Sequence, residues 1–232
     1  MLNLCIPTLN RYDLLVKCLL TAEAGTLKPD KYFIIDNGLH LNYKEMPREF
    51  SDRILIVKTR FNLGVARSWN WFIDNVEDNI VLCNDDVEFY EDSLEKLLSG
   101  YDEDFITYPA EGCTSFSCIQ LPRKIINAIG HFDEAISPYY AYFEDNDYHY
   151  RMLLKGFTIK SIAGCRVKHV GSATMRNFTE LEVNMHHNKF REARARYIEK
   201  WGGQPAEEKF KVPFDGKRPD INEDGTTREN NS

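Results

Sequence analysis

No run of apolar residues in this 232-residue chain approaches the ~18 to 20 that a membrane-spanning helix requires. The N-terminal MLNLCIPTLNRYD has neither a basic leader nor a small-residue cleavage site, so a soluble, non-secreted protein is expected. The six cysteines (Cys5, Cys18, Cys83, Cys113, Cys118 and Cys165) include no C-x-x-C pair, which argues against a zinc cluster or a disulfide framework. Scattered through apolar stretches, they read as reduced core thiols, and a cytoplasmic compartment fits them. Positive charge is also short, with 29 Lys and Arg against 36 Asp and Glu and a net charge of −7. General affinity for nucleic acid or anionic lipid, which draws on a positive surface field, is not expected. Neither G-x-G-x-x-G nor G-x-x-x-x-G-K-[ST] occurs, so dinucleotide and P-loop cradles have no support. Without such a loop, a bound phosphate group must be met by a cation or by Arg and Lys side chains.

What the chain does have is alternation. Strand-length apolar runs (LNLCI, KYFIID, RILIVK, NIVLC) are separated by segments of helical period, as in β-α-β units around a largely parallel sheet. Helices are expected from about Arg11 to Ala24, with Leu14, Leu15, Cys18, Leu19 and Ala22 in one apolar stripe, and over VARSWNWFIDNV, where Trp69 and Trp71 read as core. After the fourth strand, EDSLEKLLSG and PRKIINAIG read as helices, DFITYPA and TSFSCIQL as strands, FEDNDYHYRMLL as a helix, FTIKSI and CRVKHV as two further strands, and 179–200 as a long helix. No internal repeat or linker divides the chain, and its length suits one α/β domain with an appendage.

In such a sheet, ligands bind beyond the carboxyl ends of the strands. The residues found there are Pro7, Thr8, Asn10 and Arg11 after the first strand, Asp36 and Asn37 after the second, Asn62 and Gly64 after the third, and Asn84, Asp85 and Asp86 after the fourth. This polar edge suits a ligand with a sugar, a nucleobase and a metal-bound phosphate group. Adjacent carboxylates repel, so a cation is expected beside Asp85 and Asp86, and hard oxygen donors suit Mg²⁺ or Mn²⁺. Strand alternation points Asn84 and Asp86 one way and Asp85 the other. Several residues carry a plainer alternative: an Asp-Asn-Gly turn for Asp36, a favourable helix N-terminus for Glu144, Asp145 and Asp147, and a satisfied strand end for His169. The tyrosines of SPYYAYF suit stacking on a sugar or a base, or simple packing. The basic run KFREARARYIEK (189–200) is a solvated helical face or a surface for an anionic acceptor.

Taken in order, PTLNR, IIDNG, NLGVARSWN, LCNDDV, IGHFDE, YFEDNDYHYRMLLKGF, VKHVG and YIEKWGG resemble the motif succession of family 2 glycosyltransferases of the GT-A fold. The resemblance spans residues 1–203 and implies a Rossmann-like, mostly parallel sheet flanked by helices. Residues 204–232 are then an extension, expected to be mobile from about Asp215, where apolar residues nearly vanish. The resemblance implies an inverting enzyme that uses a nucleotide-sugar donor, most often a UDP-sugar, and a divalent metal. It assigns Asp145 as base and Glu144 as a partner of the acceptor. Pro7, Thr8, Asn10, Arg11, Asp36, Asn62, Gly64, Arg67, Asn84 and Asp85 fall to the donor, and Asp86 and His169 to the metal. Histidine tilts the ion toward Mn²⁺ over Mg²⁺. The hydroxyl acceptor is left open among a glycan, a small molecule, a protein and a modified DNA base. The rival readings are a sugar-phosphate nucleotidyltransferase and a non-catalytic sugar-nucleotide binding module.

Overall fold

Each of the first four apolar runs becomes a strand because alternate residues find a separate core on each side. In the computed structural model, which describes residues 1–78, 80–171 and 180–228, β1 (Asn3–Thr8), β2 (Lys31–Asp36), β3 (Ile54–Lys58) and β4 (Ile80–Cys83) pair in parallel. Leu4 and Ile6 of β1 join Leu15, Cys18 and Leu19 of helix α1 (Tyr12–Glu23). Cys5, between them, joins Trp69 and Phe72 of helix α2 (Gly64–Asn75) on the opposite face. A strand buried on both faces reads as a continuous apolar run, as β1 and β4 do, whereas β3, at the end of the sheet, leaves Leu55 exposed.

The remaining strands extend the sheet past β4. β5 (Val87–Phe89), β6 (Phe105–Glu111), β7 (Cys118–Leu121) and β8 (Thr158–His169) complete an eight-stranded sheet in the order β3-β2-β1-β4-β7-β6-β8-β5. β7 runs antiparallel to β4 and to β6, β8 parallel to β6, and β5 antiparallel to β8. The further α-helices among the described residues are α3 (Ser93–Ser99), α4 (Arg123–Ile129), α5 (Glu144–Leu154) and α6 (Glu180–Trp201). None of the described helices is long and apolar enough to cross a membrane.

Three expectations need correction here. FTIKSI and CRVKHV are one strand: Gly164 (φ 72°) lies where the pairing with β6 shifts register between Pro109 and Glu111. A bulge of this kind bends a ladder without ending it. Only the second half of TSFSCIQL is a strand, the first being a 3-10 turn at Ser115–Ser117. Residues 215–228, expected to be mobile, fold back onto the domain. Their anchors are polar, and so leave no trace in an apolar pattern. Thr227 Oγ1 donates to Asp133 Oδ2 at 3.0 Å, Arg151 donates to the Asp224 carbonyl at 3.2 Å, and the His131 amide donates to Asp224 Oδ2 at 3.4 Å.

These contacts cover a buried charge network. Lys200 Nζ lies 2.6 Å from Asp133 Oδ2 and 2.7 Å from Asp147 Oδ1. Arg151 Nε donates to Asp147 Oδ2 at 2.9 Å, and Trp201 Nε1 to Asp147 Oδ1 at 2.8 Å. Lys200, Asp133 and Asp147 are 0% exposed, and Arg151 is 3% exposed. Two carboxylates and two cations balance. Burial alone raises the Asp147 pKa, but the Lys200 and Arg151 charges outweigh it and hold the carboxyl below its ordinary value. Of the basic run 189–200, Lys200 is therefore core, whereas residues such as Lys189 pair on the surface with Glu192.

Removing one member of a buried pair leaves the others uncompensated. Lys200→Met is expected to lower unfolding free energy by about 3 to 5 kcal/mol in a denaturant titration, while Lys189→Met, at an exposed pair, shifts it by less than about 1 kcal/mol. Truncation after Val212, which uncovers Asp133 and Arg151, is expected to lower the melting temperature as well.

Candidate active site

The polar strand ends come together at one edge of the sheet. Thr8, closing β1, donates its hydroxyl to Asp85 Oδ2 at 2.7 Å. Burial pushes the Asp85 carboxyl up to about 7, with the Asp86 charge adding to the rise, while the Thr8 hydroxyl, the Leu9 amide and the Arg11 charge oppose it. Asp86 turns the other way and meets His169, with Oδ1 and Nε2 3.0 Å apart. The short strand β5, missed in the sequence, makes this meeting possible: Val87 pairs with His169 in register, and the Val170 amide donates to the Asp86 carbonyl at 3.1 Å. Asn84 is held between them by its own backbone, its amide bonded to the Ser117 carbonyl at 2.9 Å. Pro7 sits half-buried in β1, opposite Ile35.

Asn10 is exposed with φ 59°, a left-handed turn that asparagine tolerates better than most residues. Next to it, Arg11 forms a two-point pair with Asp13 at 3.1 and 3.0 Å. That pair is the main reason the Arg11 pKa rises, and Asp85 and Asp86 add to it. The guanidinium thus stands in the field of the two carboxylates that repel each other.

Asp36, expected at the nucleoside end, closes β2. It is 0% exposed, and both its oxygens serve the following loop: Tyr12 Oη and the amides of Gly38 and Leu39 donate to Oδ1, and the Leu41 amide donates to Oδ2. The plain Asp-Asn-Gly reading describes it. Its neighbour Asn37, assigned no role, ties β2 to α2 by donating to Ser68 Oγ at 3.0 Å and accepting from the Leu63 amide at 2.8 Å.

A second wall rises from α2 and the segment before α5. Asn62 accepts from the Gly64 amide at 2.8 Å and donates to the Tyr139 carbonyl at 3.3 Å. Gly64 has φ +76°, and a Cβ there would sit 2.6 Å from the Tyr140 amide nitrogen, so only glycine permits this approach. Arg67 pairs with Glu134 at 2.6 Å, and Asn70 bonds to both the amide and the carbonyl of Phe132. In the sequence, IGHFDE gives Asp133 and Glu134 no visible task, because their partners on α2 and α6 are distant in the chain.

That wall leads into α5, whose first turn carries Glu144 and Asp145. Tyr139, Tyr142 and Phe143 have φ of 62°, 96° and 68°, a sparsely allowed region for residues with side chains and one found at functional segments. Glu144 is 4% exposed, and its Oε2 has no hydrogen-bond partner among the described residues. Burial, and then the Asp145 charge, push its carboxyl up to about 8. Asp145 is half-buried and accepts from the Asn146 amide at 2.8 Å. Burial raises its pKa too. Asp147, in the same turn, enters the buried charge network.

The sequence model of glycosyl transferase family 2 matches residues 4–170. The chain belongs to glycosyltransferase family 2. No curated protein matches it significantly. Among solved structures it is similar to the mannosyltransferase PcManGT from Pyrobaculum calidifontis in complex with GDP-Man and Mn²⁺, with a TM-score of 0.64 and 11% identity. The match covers 88% of this chain and 66% of that one. At this identity the likeness is one of fold, and the family 2 member described here has the GT-A architecture.

A buried carboxyl with a raised pKa binds its proton more tightly folded than unfolded, so its protonated form stabilises the fold. That contribution is full below the unfolded pKa, the ordinary glutamate value of 4.5, and is lost as pH rises through about 8. Glu144→Gln, which keeps the neutral shape, is expected to be more stable than the parent at pH 8, by on the order of 4 kcal/mol relative to the difference at pH 4. Chemical denaturation at the two pH values checks the sign. An equal effect at both would show that Glu144 is ionised in the fold.

Proposed function

We propose that this chain transfers a glycosyl group from a nucleoside diphosphate sugar to an acceptor hydroxyl with inversion at the anomeric carbon. The observation that carries the reading is the convergence, at one sheet edge, of Thr8 with Asp85 and of Asp86 with His169. The wall that bears Asp145 stands at the same edge, because the Tyr139 and Tyr140 backbone packs on Asn62, Gly64 and Val65 beyond β3. In the reaction the acceptor oxygen attacks the anomeric carbon, the bond from that carbon to the diphosphate oxygen breaks, and the hydroxyl proton passes to Asp145. A positioned base of this kind is worth about 10² to 10⁴ in rate. Glu144, protonated beside it, is a hydrogen-bond donor toward the acceptor. Thr8, Asn84, Asp85 and Arg11 line the donor end, and Asn62 and Arg67 brace the wall beside it.

The residues present fit a divalent ion. One carboxylate oxygen and one imidazole nitrogen, already 3.0 Å apart, form a mixed donor set that suits Mn²⁺ better than Mg²⁺. Among the described residues no group of three or more His, Cys, Asp or Glu converges, so the remaining positions fall to water and diphosphate oxygens. When bound, the ion offsets the negative charge that grows on the departing diphosphate. Uridine is the expected base from the family resemblance, and the GDP-Man in the mannosyltransferase complex makes guanosine the second to test.

A thermal-shift screen of UDP and GDP with Mn²⁺ is expected to raise the melting temperature for at least one nucleotide, and Asp86→Ala to abolish the metal-dependent part. No shift under any combination sinks the donor site. Asp145→Asn is expected to lower kcat by about 10²-fold or more while donor affinity stays within about twofold. A pure binding module would show no turnover to lose. Because the Asp145 pKa is raised, the acid limb of kcat/KM is expected above the ordinary aspartate value of about 3.9, with activity rising as pH increases through it.

A further inference from the structure

Two aromatic rings stand at the rim of the second wall with half their surface in water. Phe61, between β3 and α2, is 50% exposed, and Tyr139, in the segment before α5, is 49% exposed. The rings meet edge to face, with centroids 5.9 Å apart and planes 73° apart. Neither belongs to any of the three buried apolar clusters, so core packing does not account for them.

What fixes Tyr139 is polar and backbone structure. The Arg67 guanidinium carbon lies 5.4 Å from the ring centroid and is itself anchored on Glu134 at 2.6 Å. Asn62 donates to the Tyr139 carbonyl at 3.3 Å, and the Val65 amide to the Tyr140 carbonyl at 2.8 Å. The backbone at Tyr139 is left-handed, with φ 62°, a conformation that a residue with a side chain holds only when its surroundings impose it. An exposed ring held this way has little freedom left to lose when a ligand stacks on it.

The chemistry of the platform selects the ligand. An aromatic face is electron-rich at its centre and takes the polarised C–H groups on one face of a pyranose, while the sugar hydroxyls reach water and the polar rim. The Arg67 charge is balanced by Glu134, so an anion is not favoured. A nucleobase also stacks, but the donor end proposed above lies at Thr8 and Asp85, whereas Tyr139 is on the segment that runs directly into Glu144 and Asp145. We propose that Phe61 and Tyr139 form an acceptor subsite that stacks on a pyranose ring, which makes the acceptor a glycan. The inference rests on the glycosyl-transfer reading and narrows its acceptor.

Saturation-transfer NMR on the full chain tests it, with methyl α-D-mannopyranoside and methyl β-D-glucopyranoside as probes, open-chain sorbitol as control, and UMP and GMP as competing stackers. Transfer to pyranoside ring C–H protons and not to sorbitol is expected. The signal is expected to fall about fivefold or more in Tyr139→Gly and in Phe61→Ala, and to persist in Tyr139→Phe, which keeps the π face. Glycine suits the left-handed backbone at 139, and Phe61 is a surface site. Should either variant fail to melt cooperatively, the other carries the test. Absence of transfer to both pyranosides overturns the proposal, as does a signal that survives both substitutions. Loss of UMP or GMP contact in place of pyranoside contact assigns the platform to a base and overturns it too. UDP and GDP thermal shifts with Mn²⁺ on the same samples separate the two readings: if they fail, the donor reading falls, and if they succeed without Tyr139-dependent pyranoside contact, the acceptor subsite alone falls.

Discussion

The ion cluster of Asp133, Asp147, Arg151 and Lys200 is the constraint on which the rest of the molecule depends. Four charges out of water are tolerated only because each has an opposite partner within 3 Å and further hydrogen bonds from Trp201 and Thr227. The cluster joins pieces that are far apart in the chain: the segment before α5, α5 itself, the end of α6 and the C-terminal strap. Asp147 lies in the first turn of the helix that carries Glu144 and Asp145. Clamping Asp147 therefore fixes the turn from which Glu144 and Asp145 also project. Such a clamp is more about orientation than about net stability, since apolar packing of the same volume would hold the helix as well.

The clamp also explains how an unfavourable segment persists. Left-handed backbone at Tyr139, Tyr142 and Phe143 costs on the order of 1 to 3 kcal/mol each, and helix α5 on one side and the glycine contact at position 64 on the other impose it. Helix α6 adds packing: Phe143 and Tyr197 join Ile136, Ala193 and Trp201 in a small third core, and Tyr142 meets His186 with Oη and Nε2 2.9 Å apart. The rigid wall that results is what preorganised chemistry requires. Across the edge, the strand order switches at β1, with β2 and β3 on one side and β4 on the other, the point beyond which α/β sheets form their crevice. The pairing of β5 with β8 then closes it by bringing Asp86 to His169.

Much of this was legible in the linear pattern. The four parallel strands, α1, α2 and α5 follow from apolar period and turn residues, because those signals are local and strong. NDD and FEDND stood out because clustered carboxylates are unfavourable without a reason. Other features were illegible for definite reasons. Val87–Phe89 is too short for a periodic signal and exists only through its partner. Gly164 looks like a break and is a bulge. The strap at 215–228 is nearly devoid of apolar residues, yet buried polar groups hold it. Lys200 reads as one more surface cation in a basic run, since its period-related neighbours Ala193, Tyr197 and Trp201 identify a core face only once α6 has something to pack against.

By itself the sequence determined the alternation of strands and helices, the two-faced burial of the parallel strands, the polar strand ends, and the exclusion of glycine-rich phosphate cradles. These depend on chain-local periodicity and residue chemistry, which no tertiary contact can alter. Only the tertiary structure decided what surrounds each carboxylate. Asp36 accepts from its own loop, Asp147 from buried cations and Asp85 from Thr8, while Asp86 meets a histidine and Glu144 is buried with no partner on one oxygen among the described residues. An aspartate carries the same charge and shape wherever it stands in a sequence. Its task is set by the dielectric around it and by the groups that folding brings within about 3 Å.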